Sequence, residues 1–303
     1  MSRPVEKREI KVRVLEKSDT YLKFIIEGVP PQIVNALRRV LIADVPCLAI
    51  DEVVVLDNTS VMFDEVLAHR LAMIPLKTNL KKFPKIEECE EGLVDQAQCS
   101  ARLILQVEAR EPMVVYSRDL KSEDPDVEPV YPDIPIVKLG KGQRIVLEAI
   151  ARLGRAREHV KWQACLAAYY YYPKVEIVNP KDRSCYEICK QICPDAVDWD
   201  DNRGMYIKDV EACTFNRWKT CEHSCNGAIR VDWERWKYVF WIESFGSIPM
   251  RDLVEEAFRI LRKKFEDFLE ILDIEILKYT TMRSSEAGKT SEETETESVS
   301  ESS

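Results

Sequence analysis

The sequence predicts an α+β protein made of more than one domain. Apolar and polar residues alternate in several short segments, which indicates strands, and two longer segments carry apolar residues at helical spacing, one near each end of the chain. A third observation is a segment between residues 185 and 225 that holds six of the ten cysteines. The length of 303 residues is enough for two or three domains of ordinary size.

The amino-terminal segment predicts a hairpin followed by a helix. Residues 8–17 and 21–27 alternate apolar and polar side chains on either side of a short polar turn. Pro30 and Pro31 then open a helix, since proline is tolerated in the first turn, and the helix ends before Pro46. The apolar stripe of this helix comprises Ile33, Val34, Leu37, Val40 and Leu41.

The middle of the chain predicts mostly strands. Residues 47–56 and 101–109 have strand character, and between them lie a short helix around residues 64–73 and a polar loop over residues 78–100. The strands that follow a proline-rich acidic connector are residues 143–149 and 165–178.

After the cysteine segment the chain predicts one more strand, over residues 236–245, and then a long helix. Ser247 can cap this helix and Pro249 lies in its first turn. The broad apolar face over residues 253–272 is long for a helix on the surface of one domain. Residues 284–303 consist mainly of Ser, Thr and Glu, and we expect them to be disordered because they bury too little apolar surface to offset the entropy of ordering.

The charge of the chain argues against direct binding of nucleic acid. The net charge is −9, and six acidic residues with one lysine give residues 284–303 a share of −5, which leaves −4 for the rest. Proteins that grip DNA phosphates need clustered Lys and Arg instead. The chain also lacks an apolar stretch of the length of a membrane span and shows no signal peptide at its charged amino terminus, so we expect a cytoplasmic protein.

Four sequence blocks resemble one known family, and they occur in that family's order. The blocks are PQIVNALRRVLIADVP (31–46), DEVLAHRLAMIPL (64–76), SEDPDVEPVYPDIPIVKLGKGQRIVLEAIARLG (122–154) and YYPKVEI (171–177). They are similar to the alpha-like subunits of RNA polymerases, which comprise the archaeal D-type subunit, bacterial alpha and the eukaryotic alpha-like subunit. The resemblance covers nearly all of the chain except the carboxyl-terminal tail.

The resemblance implies a discontinuous alpha-like dimerisation domain with two insertions. Residues 1–46 and 230–283 would form the dimerisation domain, residues 47–178 a β-rich insert, and residues 179–229 a ferredoxin-like insert, with the disordered acidic tail over residues 284–303. The implied function is that of a non-catalytic assembly subunit of archaeal DNA-directed RNA polymerase, a nucleotidyltransferase complex that carries out transcription. The chain would form a heterodimer with the small L-type subunit, seed the assembly of the other polymerase subunits, and reach DNA only through that complex.

The two terminal helices carry the residues expected at an interface. Arginines can pair bidentately with acidic groups on a large subunit, and an apolar stripe can pack against a partner helix. The alternatives are that the stripes pack in the chain's own core and that the arginines lie on a solvated flank. The expected interface residues are Asn35, Leu37, Arg38, Arg39, Leu41, Phe265 and Phe268.

We expect no catalytic residues in this chain. Nucleotide polymerisation needs paired aspartates that hold two Mg²⁺ ions. The acidic run of Asp198, Asp200 and Asp201 lies beside an Asn-Arg-Gly turn and indicates a solvated loop. In the family that the chain resembles, the catalytic metal belongs to another subunit. His69 is expected to be structural, because no nucleophile or base lies near it in the sequence.

The cysteine segment resembles a two-cluster ferredoxin domain with incomplete ligand runs. In each ferredoxin run, C-x2-C-x2-C-x3-C-P, the fourth cysteine binds the other cluster. Cys189-x3-Cys193-Pro194 matches the end of one run and Cys221-x3-Cys225 the end of the other, whereas the positions before them do not match. The crossover rule implies two sets of three ligands, which are Cys193, Cys213 and Cys221, and Cys185, Cys189 and Cys225.

Three thiolates suit one three-iron [3Fe-4S] cluster better than a four-iron cluster. We therefore expect iron–sulfur binding at Cys193, Cys213 and Cys221, with the other set as the second candidate. The alternatives are zinc, with four cysteines or with His223, reduced thiols that fill the core, and disulfides. A different class of function, a free-standing ferredoxin-like electron carrier, accounts for the cysteine segment and for no other part of the chain.

Overall fold

The computed structural model describes the backbone of residues 9–300 and the side chains of residues 9–279. It has several antiparallel sheets with helices, which confirms the mixed helix-and-strand class predicted from the sequence. The strands are β1 Lys11–Lys17, β2 Tyr21–Glu27, β3 Cys47–Asn58, β4 Ser100–Glu108, β5 Met113–Tyr116, β6 Lys121–Ser122, β7 Pro135–Leu139, β8 Arg144–Gly154, β9 Cys165–Ile177, β10 Val197–Asp200, β11 Gly204–Ile207 and β12 Ile229–Ser244. The helices are α1 Pro31–Ala43, α2 Asp64–Ala72, α3 Ile86–Glu90, α4 Arg183–Ile192, α5 Phe215–Ser224 and α6 Met250–Ser300.

The first sheet joins strands from distant parts of the chain in the order β1-β2-β12-β9. The first two strands form the predicted hairpin, with Val12 opposite Ile26, and β12 pairs with β2 so that Tyr238 also lies opposite Ile26. Phe24 stacks on Phe240 across the second pair, with ring centroids 5.3 Å apart. Cross-strand pairs of this kind stabilise a sheet, so the amino-terminal hairpin and β12 depend on each other.

Helix α1 contacts β9 of this sheet. The apolar stripe of the helix faces inward, because Val34, Leu37, Val40 and Leu41 are buried, and the side chains of Leu37 and Leu41 keep only 4% and 1% of their exposure. The expectation that Leu37 and Leu41 face a partner is therefore corrected. A strand more than a hundred residues away in sequence covers the stripe, and the helical period alone does not reveal such a neighbour.

The residues between α1 and β9 form a second sheet and a separate hairpin. The sheet has the order β3-β8-β4-β6, and β5 pairs with β7. Helix α2 contacts β3 and contributes two fully buried leucines to the core of this region. The largest members of this core with no more than 1% exposure are Leu48, Ile50, Leu67, Leu71, Leu76, Leu103, Leu105, Ile136, Ile145 and Leu147.

Two segments predicted as loops contain regular structure. Residues 78–100 hold α3 and a disulfide between Cys89 and Cys99. The acidic run lies on β10 and in the turn after it, where the carboxylate of Asp200 accepts hydrogen bonds from the backbone N–H groups of residues 202 and 203 at 3.0 and 2.8 Å. These hydrogen bonds lower the pKa of Asp200. Both elements are short and depend on bonds that the polar composition does not indicate.

The cysteine-rich segment leaves the first sheet at the end of β9 and returns at the start of β12, where Ile177 lies opposite Ile229. Helix α4, the β10-β11 hairpin and helix α5 occur between these two points. The two helices contact each other, and the core between them contains six buried cysteines together with Trp218 and Met205.

The chain divides into two units, residues 1–257 and residues 258–303. In the first unit, Leu253 and Ala257 of α6 are fully buried. In the second unit, α6 continues to Ser300. No helix in the part of the chain that the structure describes is long and apolar enough to cross a membrane.

Helix α6 extends to Ser300 and so includes most of residues 284–303, for which disorder stays a prediction. The prediction rests on how little apolar surface the segment can bury. Residues 301–303 lie outside the described residues.

Candidate functional site

The candidate site is the sulfur-rich core between α4 and α5. Asp182 caps α4, since its carboxylate accepts a hydrogen bond from the backbone N–H of Cys185 at 2.9 Å. Cys185 and Cys189 are one helical turn apart on the buried face, and Cys193 caps the end of the helix. The four-residue spacing that departs from the ferredoxin run is therefore the spacing that keeps these thiols on one side of α4.

Helix α5 supplies the opposing cysteines. Cys221 is buried on this helix and Cys225 caps its end, four residues later. Cys213 lies just before the helix and directly after the 3₁₀ turn Val210–Ala212. The fully buried Trp218 donates a hydrogen bond from its indole N–H to the carbonyl oxygen of Val210 at 3.0 Å, which holds this turn against α5.

Three of the cysteines form a close group, which we call the first triad (Cys185, Cys189 and Cys225). Their Sγ atoms lie within 4.8 Å of one another, and all three residues are buried. The Sγ of Cys189 is 3.9 Å from that of Cys185 and 3.5 Å from that of Cys225. Among the described residues this is the group whose spacing would admit a metal ion.

The other three form the second triad (Cys193, Cys213 and Cys221). The Sγ of Cys193 is 4.0 Å from that of Cys221 and is bonded to that of Cys213. The two triads are the two sets that the ferredoxin crossover rule implies. The structure thus brings together the residues that the sequence groups, while the tighter grouping belongs to the set expected as the second candidate.

Each triad contains one disulfide and one free thiol. The disulfides join Cys185 to Cys225 and Cys193 to Cys213, with Cα atoms 4.9 and 5.5 Å apart. The free thiols are Cys189 and Cys221, and both are buried. Of the alternatives weighed from the sequence, this arrangement corresponds to disulfides that link α4 to the region of α5.

The two free thiols influence each other across the boundary between the triads. The hydrogen bond between them raises the pKa of Cys189 and lowers the pKa of Cys221. Burial adds to the rise at Cys189 and opposes the fall at Cys221, where the charge of Arg217 acts in the lowering direction.

The donor sets fit a metal that prefers sulfur, once the disulfides are reduced to thiolates. Zn–S bonds of about 2.3 Å place sulfur atoms roughly 3.8 Å apart around a tetrahedral zinc ion. The two separations that involve Cys189 are close to this value, whereas Cys185 and Cys225 are bonded to each other and would have to move apart. His223 is exposed and does not belong to the metal-sized group, so that group offers three ligands from the described residues. Three thiolates match a three-iron cluster in ligand number.

The residues expected at an interface fall into two regions. On the flank of α1, the Nε of Arg38 donates a hydrogen bond to the Oδ1 of Asn35 at 3.1 Å, and Arg39 is exposed. On α6, Phe265 and Phe268 are exposed by 49% and 61%. The rest of α6 over residues 258–279 exposes Phe258, Leu269, Ile271, Leu272, Ile274, Ile276, Leu277 and Tyr279.

Two contacts were not anticipated from the sequence. The side chain of Arg155 is buried and forms ion pairs with two glutamates of α3. The carboxylate of Glu211 accepts a hydrogen bond from the hydroxyl of Tyr172 on β9 of the first sheet. An arginine directly after a strand gives no sign of such burial, because its partners lie more than sixty residues earlier. The pair of cysteines at 89 and 99, ten residues apart in a polar segment, was the one available signal for the disulfide.

Comparisons with known proteins agree with the four sequence blocks. Residues 53–167 match a family model described as the RNA polymerase Rpb3/RpoA insert domain. A protein of Pyrobaculum arsenaticum named DNA-directed RNA polymerase subunit Rpo3 is 55% identical over 262 residues, which cover 86% of this chain and 96% of that protein. A protein with the same name from Methanosarcina acetivorans is 40% identical over 268 residues, which cover 87% of this chain and 98% of that protein. Another from Methanosphaera stadtmanae is 38% identical over 273 residues, which cover 87% of this chain and 99% of that protein.

The resemblance seen in the sequence is therefore confirmed by relatives that match along most of their length. These relatives carry the name of a polymerase subunit, which gives the alternative of a free-standing electron carrier no support. The chain belongs to the Rpo3 family of archaeal alpha-like RNA polymerase subunits, which are also known as the D-type subunits.

Proposed function

We propose that the chain is the non-catalytic assembly subunit of an archaeal RNA polymerase and that it forms a heterodimer with the small L-type subunit through helix α6. The observation that carries the proposal is the exposed apolar surface of α6 in the second unit. Residues 258–279 expose ten large apolar side chains by 41% to 70% of their surface. Apolar surface of this extent is unfavourable in water and is typical of a region that a partner covers.

The polar residues of the same helix support this interpretation of the surface. Ion pairs join Arg262 to Glu266 and Lys278 to Glu275, both at 2.7 Å, along the helix itself. Pairs at this spacing stabilise a helix without a tertiary partner. The helix can therefore present its apolar side chains before the partner binds, which lowers the ordering cost of association.

The flank of α1 is the proposed contact for a further polymerase subunit. Arg39 is exposed, and the hydrogen bond from Arg38 to Asn35 orients the guanidinium group of Arg38. Guanidinium groups held in this way are suited to bidentate pairing with carboxylates. The heterodimer would then nucleate assembly of the large subunits.

The proposed domain organisation follows the expectation from the family. Residues 1–46 and 230–283 would form the dimerisation domain, residues 47–178 the β-rich insert and residues 179–229 the ferredoxin-like insert. The pairing of β2 with β12 supports the discontinuous domain, and the strand–helix–strand order on each side of the β10-β11 turn supports a ferredoxin-like insert.

The proposal assigns catalysis to other subunits. Asp200 uses its carboxylate to cap a turn, and Asp198 lies on the same short strand, so this run is accounted for by local structure. The net charge of −9 supports contact with DNA only through the assembled polymerase, which would act in the cytoplasm.

Co-expression with the small L-type subunit tests the heterodimer. We expect the double substitution Phe265→Glu and Phe268→Glu to abolish co-purification, because two charges would be buried at an apolar interface. The matched control is Val61→Glu, which places the same charge at a side chain that is 83% exposed outside α6. Wild-type yield of the heterodimer with the double variant, or equal loss with the control, would place the interface elsewhere.

We also propose that the reduced cysteine-rich segment binds one three-iron cluster with a structural role. The second triad (Cys193, Cys213 and Cys221) would hold it, and its grouping across α4 and α5 supports this choice. Bound metal would tie two helices of a segment whose core is largely sulfur, as metals do in other small domains. The first triad is the second candidate, with zinc as the alternative metal there because of its sulfur separations.

Metal analysis after anaerobic purification under reducing conditions tests this proposal. After reconstitution with iron and sulfide, we expect wild-type protein to hold iron and absorb in the visible region, and Cys193→Ser to lose both signals and become sensitive to protease over residues 180–228. Cys189→Ser distinguishes the triads and Cys47→Ser is the control, since Cys47 is a buried free thiol outside the segment. Loss of iron in Cys189→Ser but not in Cys193→Ser would show that the cluster binds at the first triad. If neither the wild-type protein nor any variant holds iron, the cluster proposal is wrong, and zinc, disulfides or reduced thiols remain as the alternatives.

A further inference from the structure

The β-rich region contains a disulfide that lies far along the chain from the two triads. Cys89 and Cys99 form it, with Cα atoms 6.1 Å apart, and both residues are buried, with 9% and 3% exposure. Cys89 lies on α3 and Cys99 immediately precedes β4. The disulfide therefore attaches a helix of only five residues to the start of β4 in the second sheet.

Helix α3 presents two carboxylates to one buried guanidinium group. The Nη1 of Arg155 donates to the two carboxylate oxygens of Glu90 at 2.7 and 2.8 Å, and its Nη2 donates to Glu87 at 2.8 Å. The side chain of Arg155 is only 8% exposed. A buried guanidinium group is costly without its acidic partners, so the position of α3 matters to the residues around Arg155.

The disulfide fixes the part of α3 that carries these carboxylates. Cys89 lies between Glu87 and Glu90 in the same helical turn. A helix of this length is not stable by itself, because too few internal hydrogen bonds offset the cost of nucleation. Besides the disulfide, the turn is held by the buried Ile86 and by a hydrogen bond from the side chain of Gln96 to the carbonyl oxygen of Cys89 at 3.2 Å.

The segment held by this ion cluster also contacts the end of α1. The backbone N–H of Arg157 donates a hydrogen bond to the carbonyl oxygen of Ala43, the last residue of α1, at 3.1 Å. Arg155 lies directly after β8, and the carbonyl oxygen of Arg155 accepts from the N–H of Glu158 at 2.9 Å, which forms a turn over residues 155–158. The disulfide, the ion cluster and the end of α1 are thus connected through consecutive contacts.

We propose that the Cys89–Cys99 disulfide is a redox-dependent staple that holds Glu87 and Glu90 in place for Arg155. In the oxidised protein the staple fixes α3, the glutamates hold Arg155, and the turn over residues 155–158 stays against α1. A dithiol reduces the staple by transferring two electrons and two protons: the Cys89–Cys99 bond breaks, two thiols form, and the dithiol closes its own disulfide. Because both sulfur atoms are buried, this exchange requires local opening of residues 86–99.

Amide hydrogen exchange on the full chain tests the staple directly. We expect exchange over residues 86–90 and 155–158 to become roughly tenfold faster or more when Cys89→Ser and Cys99→Ser are combined, because the loop loses its cross-link. Wild-type protein treated with a dithiol should show the same change in these two regions. Unchanged exchange at residues 155–158 in both cases would overturn the proposal, as would free thiols at Cys89 and Cys99 in protein purified without reductant.

A double-mutant comparison separates a connected cluster from two independent structural roles. Arg155→Lys should speed amide exchange over residues 155–158 strongly in the oxidised protein. Without the staple the effect should be weak, because Glu87 and Glu90 are then no longer held in place for the side chain at position 155. The matched control is Arg102→Lys, whose side chain is 54% exposed and pairs with Glu148 at 3.9 Å outside this cluster, and which should change exchange little in either form. Equal effects of Arg155→Lys with and without the staple would contradict the proposal. If the serine double variant does not fold, the oxidised and reduced forms of the Arg155→Lys protein give the same comparison.

Discussion

At the residue scale, Glu211 connects the cysteine-rich segment to the first sheet. The carboxylate of Glu211 accepts hydrogen bonds from the guanidinium group of Arg13 on β1 and from the hydroxyl of Tyr172 on β9, the latter at 2.8 Å. Burial acts to raise the pKa of Glu211, but these two hydrogen bonds together with the charges of Arg13 and Lys237 lower it. Since Cys213 lies two residues later, this contact also positions the start of the second triad.

Replacing Glu211 should loosen this contact. We expect Glu211→Ala to destabilise the protein by about 1–3 kcal/mol, because a hydrogen bond to a charged group is lost and Tyr172 is left without its acceptor. Protease cleavage within residues 178–228 should become faster. Exchanging the charges with Arg13→Glu and Glu211→Arg together should restore part of the stability, measured by urea unfolding. A double variant no more stable than the worse single variant would show that the charge pair does not matter.

A second residue-scale prediction concerns alkaline unfolding. Burial raises the pKa of Tyr238 to about 12, with the charges of Tyr171 and Tyr169 acting in the same direction. Because the pKa in the folded protein lies above the ordinary value of 10.0, the folded state binds the proton more tightly. The stability that comes from this tighter proton binding is fully present below the pKa that Tyr238 has in the unfolded chain. It is lost as the pH rises through the pKa of Tyr238 in the folded protein.

Tyr238→Phe should therefore flatten the fall in stability between about pH 10 and pH 12, measured by urea unfolding at a series of pH values. Phenylalanine keeps the aromatic contacts with Tyr169 and Tyr171, whose ring centroids lie 5.7 and 5.2 Å away. The same alkaline slope in the variant and the wild type would show that another group dominates this pH range.

At the element scale, the end of β8 depends on close contact between a glycine and a tryptophan. The ring of Trp162 lies where a Cβ atom on Gly154 would be, and the indole N–H donates a hydrogen bond to the carbonyl oxygen of Arg152 at 3.1 Å. The Nζ of Lys161 lies 4.3 Å from the ring centroid of Trp162. The ring thus closes the end of the strand just before the turn over residues 155–158.

Gly154→Ala should cost about 1–3 kcal/mol of stability, since the added methyl group overlaps the ring of Trp162. The destabilisation should be smaller in a Trp162→Leu background, because leucine leaves room for the methyl group. Thermal unfolding of the two single variants and the double variant measures this difference. Equal destabilisation in both backgrounds would mean that the backbone at Gly154, and not the ring, is the cause.

At the scale of the whole molecule, the chain combines a folded first unit with a second unit that consists of helix. The first unit buries many apolar residues in cores of its own, whereas the helix of the second unit exposes ten large apolar side chains over residues 258–279. An exposed apolar surface of this extent is typical of a region that a partner covers, which supports the proposed role in assembly.

Removing residues 284–303 should leave both stability and subunit pairing unchanged. This segment has almost no apolar residues, so it has little surface to bury against another part of the chain or a partner. Differential scanning calorimetry of the truncated chain and co-purification with the small subunit check the two parts. A fall in melting temperature of several degrees would show that the segment binds to the folded protein.

Local patterns predicted the parts of the fold that depend on neighbours in sequence. The alternation before and after Ser18 predicted the first hairpin, and the helical period after Pro31 predicted α1. The same period placed Leu37 and Leu41 on one stripe but not against β9, because the covering strand comes much later in the chain. Composition likewise indicated a loop over residues 78–100, where a disulfide supports a short helix.

Four blocks in order were enough to indicate the family, and the crossover rule implied by the ferredoxin resemblance divided six cysteines into two triads. The folded chain was needed to establish which of those cysteines are bonded and that Arg155 and Glu211 join distant elements. It was also needed to show that the stripe of α1 is buried, whereas the stripe of α6 is exposed over residues 265–279. The difference is one of range. Spacing along the chain determines on which side of a helix or strand a residue lies. Its burial, bonding and charge pairing depend on which residues from distant parts of the chain pack against that side.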